Sequence, residues 1–155
     1  MTDQQYLTEE GANELRAELE DLLTVKRPAL AAKLKEAISQ GDLSENADYH
    51  DAKEQQAFLE GRILYLEALL HSAVIVPDDG KKSSIVNVGV EVTVQEDGEP
   101  PETFMIVGAA EADPRAGKIS NESPLGGALL GHKVGDKVKF MAPAGELTFK
   151  IKSIK

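Results

Sequence analysis

Two acidic residues three positions apart, Asp42 and Glu45, stand where one long helical pattern ends and another begins. Carboxylate oxygens suit hard cations such as Mg2+, which usually takes one or two protein carboxylates together with phosphate oxygens of a substrate. Two carboxylates are too few for a tight, self-contained site. The pair therefore predicts a partial metal shell whose remaining ligands come from a partner.

The same spacing is also that of a capping box, in which an acidic cap and a residue three positions later satisfy free backbone donors at a helix start. Periodicity alone favours this structural interpretation. Two features favour the metal site: Leu43 puts a large aliphatic side chain in an exposed turn, and Asp48 and Asp51 add negative charge nearby. From the residues alone, both interpretations of Asp42 and Glu45 stay open.

The segments on either side of this pair are predicted to be long helices. Apolar residues recur at threes and fours over residues 8–39, Thr8 is a suitable cap, and Pro28 predicts a kink or short break. A heptad repeat then runs over residues 46–72. The positions of its seam are Tyr49, Ala52, Gln56, Leu59, Ile63, Leu66 and Leu70. Because the connection is short, we expect the helices to pack antiparallel as a projecting coiled-coil hairpin.

The second half of the chain carries short β-type runs separated by turn-forming residues. Strands are predicted over residues 85–94, 103–107, 118–121, 137–141 and 146–154, with a short helix over 123–131. Ser123 is a suitable cap for that helix and Pro124 suits its first turn. The fold class is therefore α+β with two domains: a helical hairpin over residues 1–76 and a mostly antiparallel sheet with one short helix over 77–155.

Composition excludes several classes of protein. The net charge of -10, of which -8 lies in residues 1–76, argues against a protein that coats a nucleic-acid backbone unaided. The absence of cysteine excludes disulfides, thiolate nucleophiles and cysteine-based zinc sites. His50, His71 and His132 lack companions at a metal-binding spacing. Without a signal peptide or a membrane-length apolar run, the expected location is the cytoplasm.

Several longer motifs resemble the GreA type of bacterial transcription elongation factor, also called transcript cleavage factors. The motifs are GDLSENADYHDAKEQQ, the preceding KRPAL, and ADPRAGKISNESPLGGALLG, VGDKV and PAGELTF in the second half. They follow the family's order and cover nearly the whole chain. The resemblance implies a coiled-coil hairpin that enters the secondary channel of bacterial RNA polymerase, and an FKBP-like domain that docks on the channel rim.

The resemblance also implies roles for individual residues. Asp42 and Glu45 match the acids that such factors bring to the polymerase active centre, where they share a Mg2+ ion with the polymerase and orient an attacking water. The matched tip positions are Leu43, Ser44, Asn46 and Tyr49, and the matched polymerase-docking loop is Glu122, Ser123 and Pro124. Lys53 is the basic residue nearest the tip, and so nearest the RNA. Ile38 replaces a basic residue found in some members, which favours the GreA type over GreB.

The implied function is stimulation of Mg2+-dependent endonucleolytic cleavage at the 3′ end of backtracked nascent RNA, which rescues arrested polymerase. The chain would be a monomeric accessory factor and not itself an enzyme. One alternative is a non-cleaving inhibitor that occupies the same channel, although such relatives usually carry a more acidic tip than DLSEN. An FKBP-like prolyl isomerase is a second alternative, but its pocket needs several aromatics and the second half offers Phe104, Phe140 and Phe149.

Overall fold

The computed structural model describes residues 4–77 and 84–155, and the chain divides into two compact units. The hairpin comprises Ala12–Ser72. The second, the sheet unit, combines the segment up to Gly11 with the chain from Ala73 onwards. No helix in the described part of the chain combines the length and apolar character needed to cross a membrane.

This division by contacts differs from the boundary predicted after residue 76. Strand β1, Tyr6–Thr8, pairs in parallel with strand β2, Val74–Val76, and both belong to the sheet unit. Each strand has three residues, too few for an alternating pattern to be recognised. The predicted hairpin domain therefore loses both of its ends to the sheet unit.

The first helical segment starts at the predicted cap. Helix α1 spans Glu9–Asp21, and the N–H of Gly11 donates to Thr8 Oγ1 at 3.0 Å. The Glu111 carboxylate accepts further bonds from the N–H and hydroxyl of Thr8, at 2.7 and 2.5 Å. Thr8 is thus a buried polar residue whose hydrogen bonds are satisfied.

The break predicted near Pro28 is present as a π-helical segment, Leu22–Lys26, between α1 and helix α2, Arg27–Ser39. The Thr24 hydroxyl donates to the carbonyl of Glu20 at 2.7 Å, an arrangement that bends helices. Pro28 lies in the first turn of α2, where its missing N–H is tolerated. The apolar stripe changes register here because a π turn takes up more residues than an α turn.

Helix α3, Ala47–Ser72, folds back along the first segment. The buried apolar side chains of the hairpin are Ala12, Ala37, Ala52, Ile63, Leu66 and Leu69. Ala52, Ile63 and Leu66 belong to the predicted heptad repeat, whereas Leu69 does not. Cross-helix ion pairs supplement this thin core: Arg27–Glu60 at 2.7 Å, Arg62–Glu18 at 2.8 Å and Lys33–Asp51 at 3.4 Å.

The sheet unit contains a five-stranded sheet of order β5-β4-β3-β7-β6. Its strands are β3 (Glu91–Glu96), β4 (Glu102–Val107), β5 (Lys118–Ser120), β6 (Lys137–Ala142) and β7 (Gly145–Ile154). All neighbours are antiparallel except β4 and β5, which confirms the mostly antiparallel sheet. The strand predicted to begin at Ile85 begins at Glu91, because Gly89 adopts a φ of 95° and interrupts the extended chain.

One face of this sheet forms the core of the unit. The buried cluster consists of Val86, Val92, Val94, Ile106, Ile119, Leu129, Val138, Phe149, Ile151 and Ile154. Leu129 comes from the short helix α4, Pro124–Leu129, which confirms the predicted helix. The structure therefore shows the predicted fold class, a long helical hairpin and an antiparallel sheet domain with one short helix.

Candidate functional site

The tip, residues 41–46, connects α2 to α3. Helix α2 ends as Gly41 adopts a φ of 99° and donates its N–H to the carbonyl of Ile38 at 3.3 Å. Glycine enters this left-handed region without the steric penalty of a side chain, and it commonly terminates helices. The chain is thereby turned at Gly41 before it reaches the two acids.

Asn46 is the residue that caps α3. Its Oδ1 accepts from the N–H of Tyr49 at 3.0 Å, and its Nδ2 donates to the carbonyl of Ala37 at 2.7 Å. One amide side chain therefore starts the second helix and ties it to the end of the first. The capping-box interpretation of Asp42 and Glu45 is wrong, because the cap lies one residue beyond Glu45.

The Asp42 carboxylate is held by a neighbour. Its Oδ1 accepts from both the N–H and the hydroxyl of Ser44, at 3.1 and 2.7 Å. These bonds hold the pKa of Asp42 below its ordinary value, the hydroxyl bond contributing most, so the carboxylate is ionised at neutral pH. Its Oδ2 makes no hydrogen bond to the described residues.

Glu45 is exposed and has no hydrogen bond or ion pair within the described part of the chain. It lines an open depression with Gln40, Asp42, Asn46, Ala47 and Asp48. Residues 4–77 and 84–155 contain no cluster of three or more His, Asp or Glu side chains that could hold a metal ion. The oxygen donors of Asp42 and Glu45 suit Mg2+ chemically, but only as part of a shell.

Other residues singled out at the tip differ in exposure and partners. Leu43 is 40% exposed, which is unusual for a leucine and consistent with its place in a turn. Lys53 is exposed on α3 and donates to Gln56 at 3.0 Å. Asp51, grouped with the tip acids from its position in the sequence, is instead paired with Lys33 along the hairpin.

His50 has no companion at a metal-binding spacing, yet its ring contacts the tip. Its Nε2 lies 3.4 Å from the carbonyl oxygen of Ser44, and its ring meets that of Tyr49 edge to face at 5.6 Å. Side chains in a helix lean towards its N-terminus, so a residue in the first turn can touch the loop before it. This lean of helical side chains could have predicted that His50 contacts the tip, whereas metal-ligand spacings could not.

The 121–124 loop leads into α4 in the sheet unit, and its last residue, Pro124, is the first residue of that helix. Ser123 caps this helix: its hydroxyl accepts from Gly126 N–H at 3.0 Å and donates to the carbonyl of Ser120 at 2.6 Å. Glu122 and Pro124 are exposed. The hydroxyl of Ser123 is therefore engaged within the chain, while the two residues beside it are available for contacts.

Two family models and several curated relatives match nearly the whole chain. The family model for the N-terminal domain of transcription elongation factors GreA/GreB matches residues 5–75, and that for the C-terminal domain matches residues 81–155. A GreA of Bacillus cereus is 48% identical over 157 residues, covering 99% of both chains. A GreA of Bacillus licheniformis is 51% identical over 150 residues, covering 96% of this chain and 94% of its own.

Among solved structures, the crystal structure of GreA factor homolog 1 from Thermus thermophilus is 31% identical. The match covers 98% of this chain and 99% of that one, with a TM-score of 0.45. The two family models together span almost all of the sequence, and the curated relatives match it nearly end to end at about half identity. This chain belongs to the GreA/GreB family of transcription elongation factors.

Proposed function

We propose that this chain binds bacterial RNA polymerase, inserts its hairpin into the secondary channel and stimulates Mg2+-dependent cleavage at the 3′ end of backtracked RNA. The observation that carries the proposal is the exposed pair Asp42 and Glu45 at the tip. Since Asn46 caps α3, neither acid is needed to start the helix. The pair has too few ligands for a metal site of its own, which is what a factor acting on another protein's active centre requires.

Each tip residue has a distinct part in this proposal. Ser44 fixes the Asp42 carboxylate through two bonds to Oδ1 and leaves Oδ2 for a shared cation. Glu45 contributes the second carboxylate. It could complete the metal shell or accept a hydrogen bond from the attacking water. Mg2+, when bound, activates a water and neutralises charge on the reacting phosphate.

Lys53 and the 121–124 loop provide the remaining contacts. Lys53 is exposed on α3, seven residues beyond the end of the tip, and would approach the extruded RNA. Glu122 and Pro124 would contact the channel rim, and Ser123 would shape the loop through its two internal bonds.

If Glu122 contacts the rim, the variant Glu122→Gln should weaken polymerase binding but leave the cleavage rate at saturating factor unchanged. Titration of the cleavage rate against factor concentration measures both effects.

The experiment that tests the proposal uses stalled, backtracked polymerase complexes with labelled RNA. Addition of the chain with Mg2+ should shorten the RNA from its 3′ end and restore elongation. Because the tip offers only two suitable ligands, the chain alone should leave the same RNA intact. Binding to polymerase without RNA shortening would identify a channel inhibitor instead, and cleavage of free RNA would contradict action through polymerase.

A further inference from the structure

Ser44 is held on both sides of its Cα. Its backbone N–H, on the amino side, and its side-chain hydroxyl both donate to Asp42 Oδ1, at 3.1 and 2.7 Å. On the carboxyl side its carbonyl oxygen lies 3.4 Å from Nε2 of His50. Imidazole carrying its hydrogen on Nε2 is a donor there, so the carbonyl of Ser44 accepts. Ser44 is therefore connected to Asp42 through its N–H and hydroxyl, and to helix α3 through its carbonyl and His50.

His50 can contact the tip because it lies in the first turn of α3. Its own N–H donates to the carbonyl of the cap residue Asn46 at 3.1 Å, which places it in the first turn of α3. Its side chain leans towards the N-terminus, and its ring meets that of the half-buried Tyr49 in an edge-to-face contact. The ring thus approaches the loop from a fixed element and not from another part of the loop.

The bond from His50 acts on the peptide group that joins Ser44 to Glu45. A peptide group is planar, so fixing its carbonyl oxygen also fixes its N–H and the direction in which the chain enters the next residue. The Ser44 carbonyl therefore governs where the Cα of Glu45 lies. Since the other side of Ser44 holds Asp42, the separation of the two carboxylates depends on both sets of bonds.

We propose that His50 is a positioning residue for cleavage: by donating from Nε2 to the Ser44 carbonyl, it holds Glu45 in register with Asp42. The proposal rests on the function proposed above for these two carboxylates. It assigns His50 no contact with the metal, the RNA or the reacting atoms. Its contribution is to reduce the number of arrangements that the tip samples before it meets the active centre.

Three variants of the full chain separate the hydrogen bond from other effects. His50→Gln places an amide N–H at about the distance of Nε2, whereas the shorter side chain in His50→Asn reaches only about as far as Nδ1. His50→Ala has no donor but the highest helix propensity of the three. If the bond matters, glutamine should preserve function, while asparagine and alanine should fail together despite their opposite helix propensities.

The first readout is stimulated cleavage on backtracked complexes. His50→Asn and His50→Ala should lower the rate at saturating factor by about three- to tenfold, the range that loss of one hydrogen bond allows, and His50→Gln should stay near the unsubstituted rate. Polymerase affinity should be the same for all four proteins. Equal rates for all of them would overturn the positioning role.

The second readout needs no polymerase. The carbonyl carbon chemical shift of Ser44 in the free chain should move away from the unsubstituted value in His50→Asn and His50→Ala and stay near it in His50→Gln, because the Ser44 carbonyl loses its hydrogen-bond donor only in the first two variants. Identical Ser44 carbonyl shifts in all variants would contradict the bond even where cleavage differs. If the shift responds as expected but the unsubstituted chain stimulates no cleavage, the proposed function fails, and the positioning role fails with it.

Discussion

The tip and the 121–124 loop both lead into a helix, but they divide the capping task differently. At the tip, Asn46 caps α3, and the two acids before it are left exposed. In the other loop, Ser123 is both the cap of α4 and one of the residues matched to the docking surface. A cap residue must keep its side chain turned to its own backbone, so it has less freedom to bind a partner.

This difference determines how each region responds to substitution. At the tip, the proposed chemistry and the helix cap depend on different side chains, so the acids can be changed without loss of the helix start. In the 121–124 loop, Ser123 caps α4 and is also the neighbour of the exposed Glu122. We therefore expect activity to be separable from stability at the tip and coupled to it in the loop.

The largest effect on stability is expected from Gly126→Ala in the sheet unit. Gly126 is buried, and an added Cβ would run into the carbonyl oxygen of Ser120, which already accepts from Ser123. Overpacking against backbone should cost about 2–3 kcal/mol and distort the loop, so polymerase binding should fall as well. Thermal unfolding and a polymerase binding assay measure the two effects.

Gly127→Ala is the matched control. At that position the nearest atom to an added Cβ is the carbonyl oxygen of Asn121 at 3.5 Å, an ordinary contact. The change should stabilise the helix by about 0.5–1 kcal/mol through helix propensity and leave binding intact. If the two variants behaved alike, the close approach of α4 to Ser120 would have no role in the loop.

An intermediate effect is expected from Asn46 at the tip. Asn46→Ala removes a cap and a cross-helix hydrogen bond and should lower the local free energy of opening by about 2 kcal/mol. Asn46→Asp keeps an acceptor for the Tyr49 N–H but cannot donate to Ala37, so it should lose about half as much. Amide hydrogen exchange at Tyr49 is the measurement, and equal losses in both variants would refute the bond to Ala37.

The smallest effect concerns the charged pairs along the hairpin. The hydrogen bonds from Arg62 to Glu18 and from Arg27 to Glu60 hold the pKa of each glutamate below its ordinary value. A lowered pKa in the folded state means that the pair stabilises the hairpin above the unfolded value of about 4.3 and ceases to do so as pH falls through the folded pKa. Both pairs are exposed, so the contribution is small.

The test is a comparison of unfolding for the unsubstituted chain and Glu18→Gln at a series of pH values. The unsubstituted chain should be the more stable at pH 7, and the difference should vanish below the folded pKa of Glu18 and shrink in high salt. A difference that persists in acid would show that the glutamate stabilises the hairpin through packing and not through its charge.

Much of the fold could be predicted because its elements are long or regular. The helix start at Thr8, the extent of the second helix, the break near Pro28 and four of the five main strands follow from a cap, periodicity and turn residues. Strands β1 and β2 could not be predicted, since pairing between distant three-residue segments leaves no local pattern. The start of β3 was misplaced because a run of β-branched residues does not reveal the left-handed turn at Gly89.

The candidate site was predictable in composition and not in its internal bonds. The spacing of Asp42 and Glu45 identified the pair, but the same spacing also suggested a capping box. Only the backbone path shows that Asn46 caps α3 instead. The contact of His50 with the Ser44 carbonyl depends on that path as well, so no spacing rule reveals it.

The most direct test of the central claim is paired measurement of cleavage and stability for Asp42→Asn and Glu45→Gln. Each amide keeps the shape of the acid but lacks the charge that attracts Mg2+. Stimulated cleavage on backtracked complexes should fall by about a hundredfold or more. Polymerase binding and thermal unfolding should stay unchanged, because Asn46 still caps α3. Amide variants that bind normally and cleave at the unsubstituted rate would show that Asp42 and Glu45 do not hold the catalytic metal.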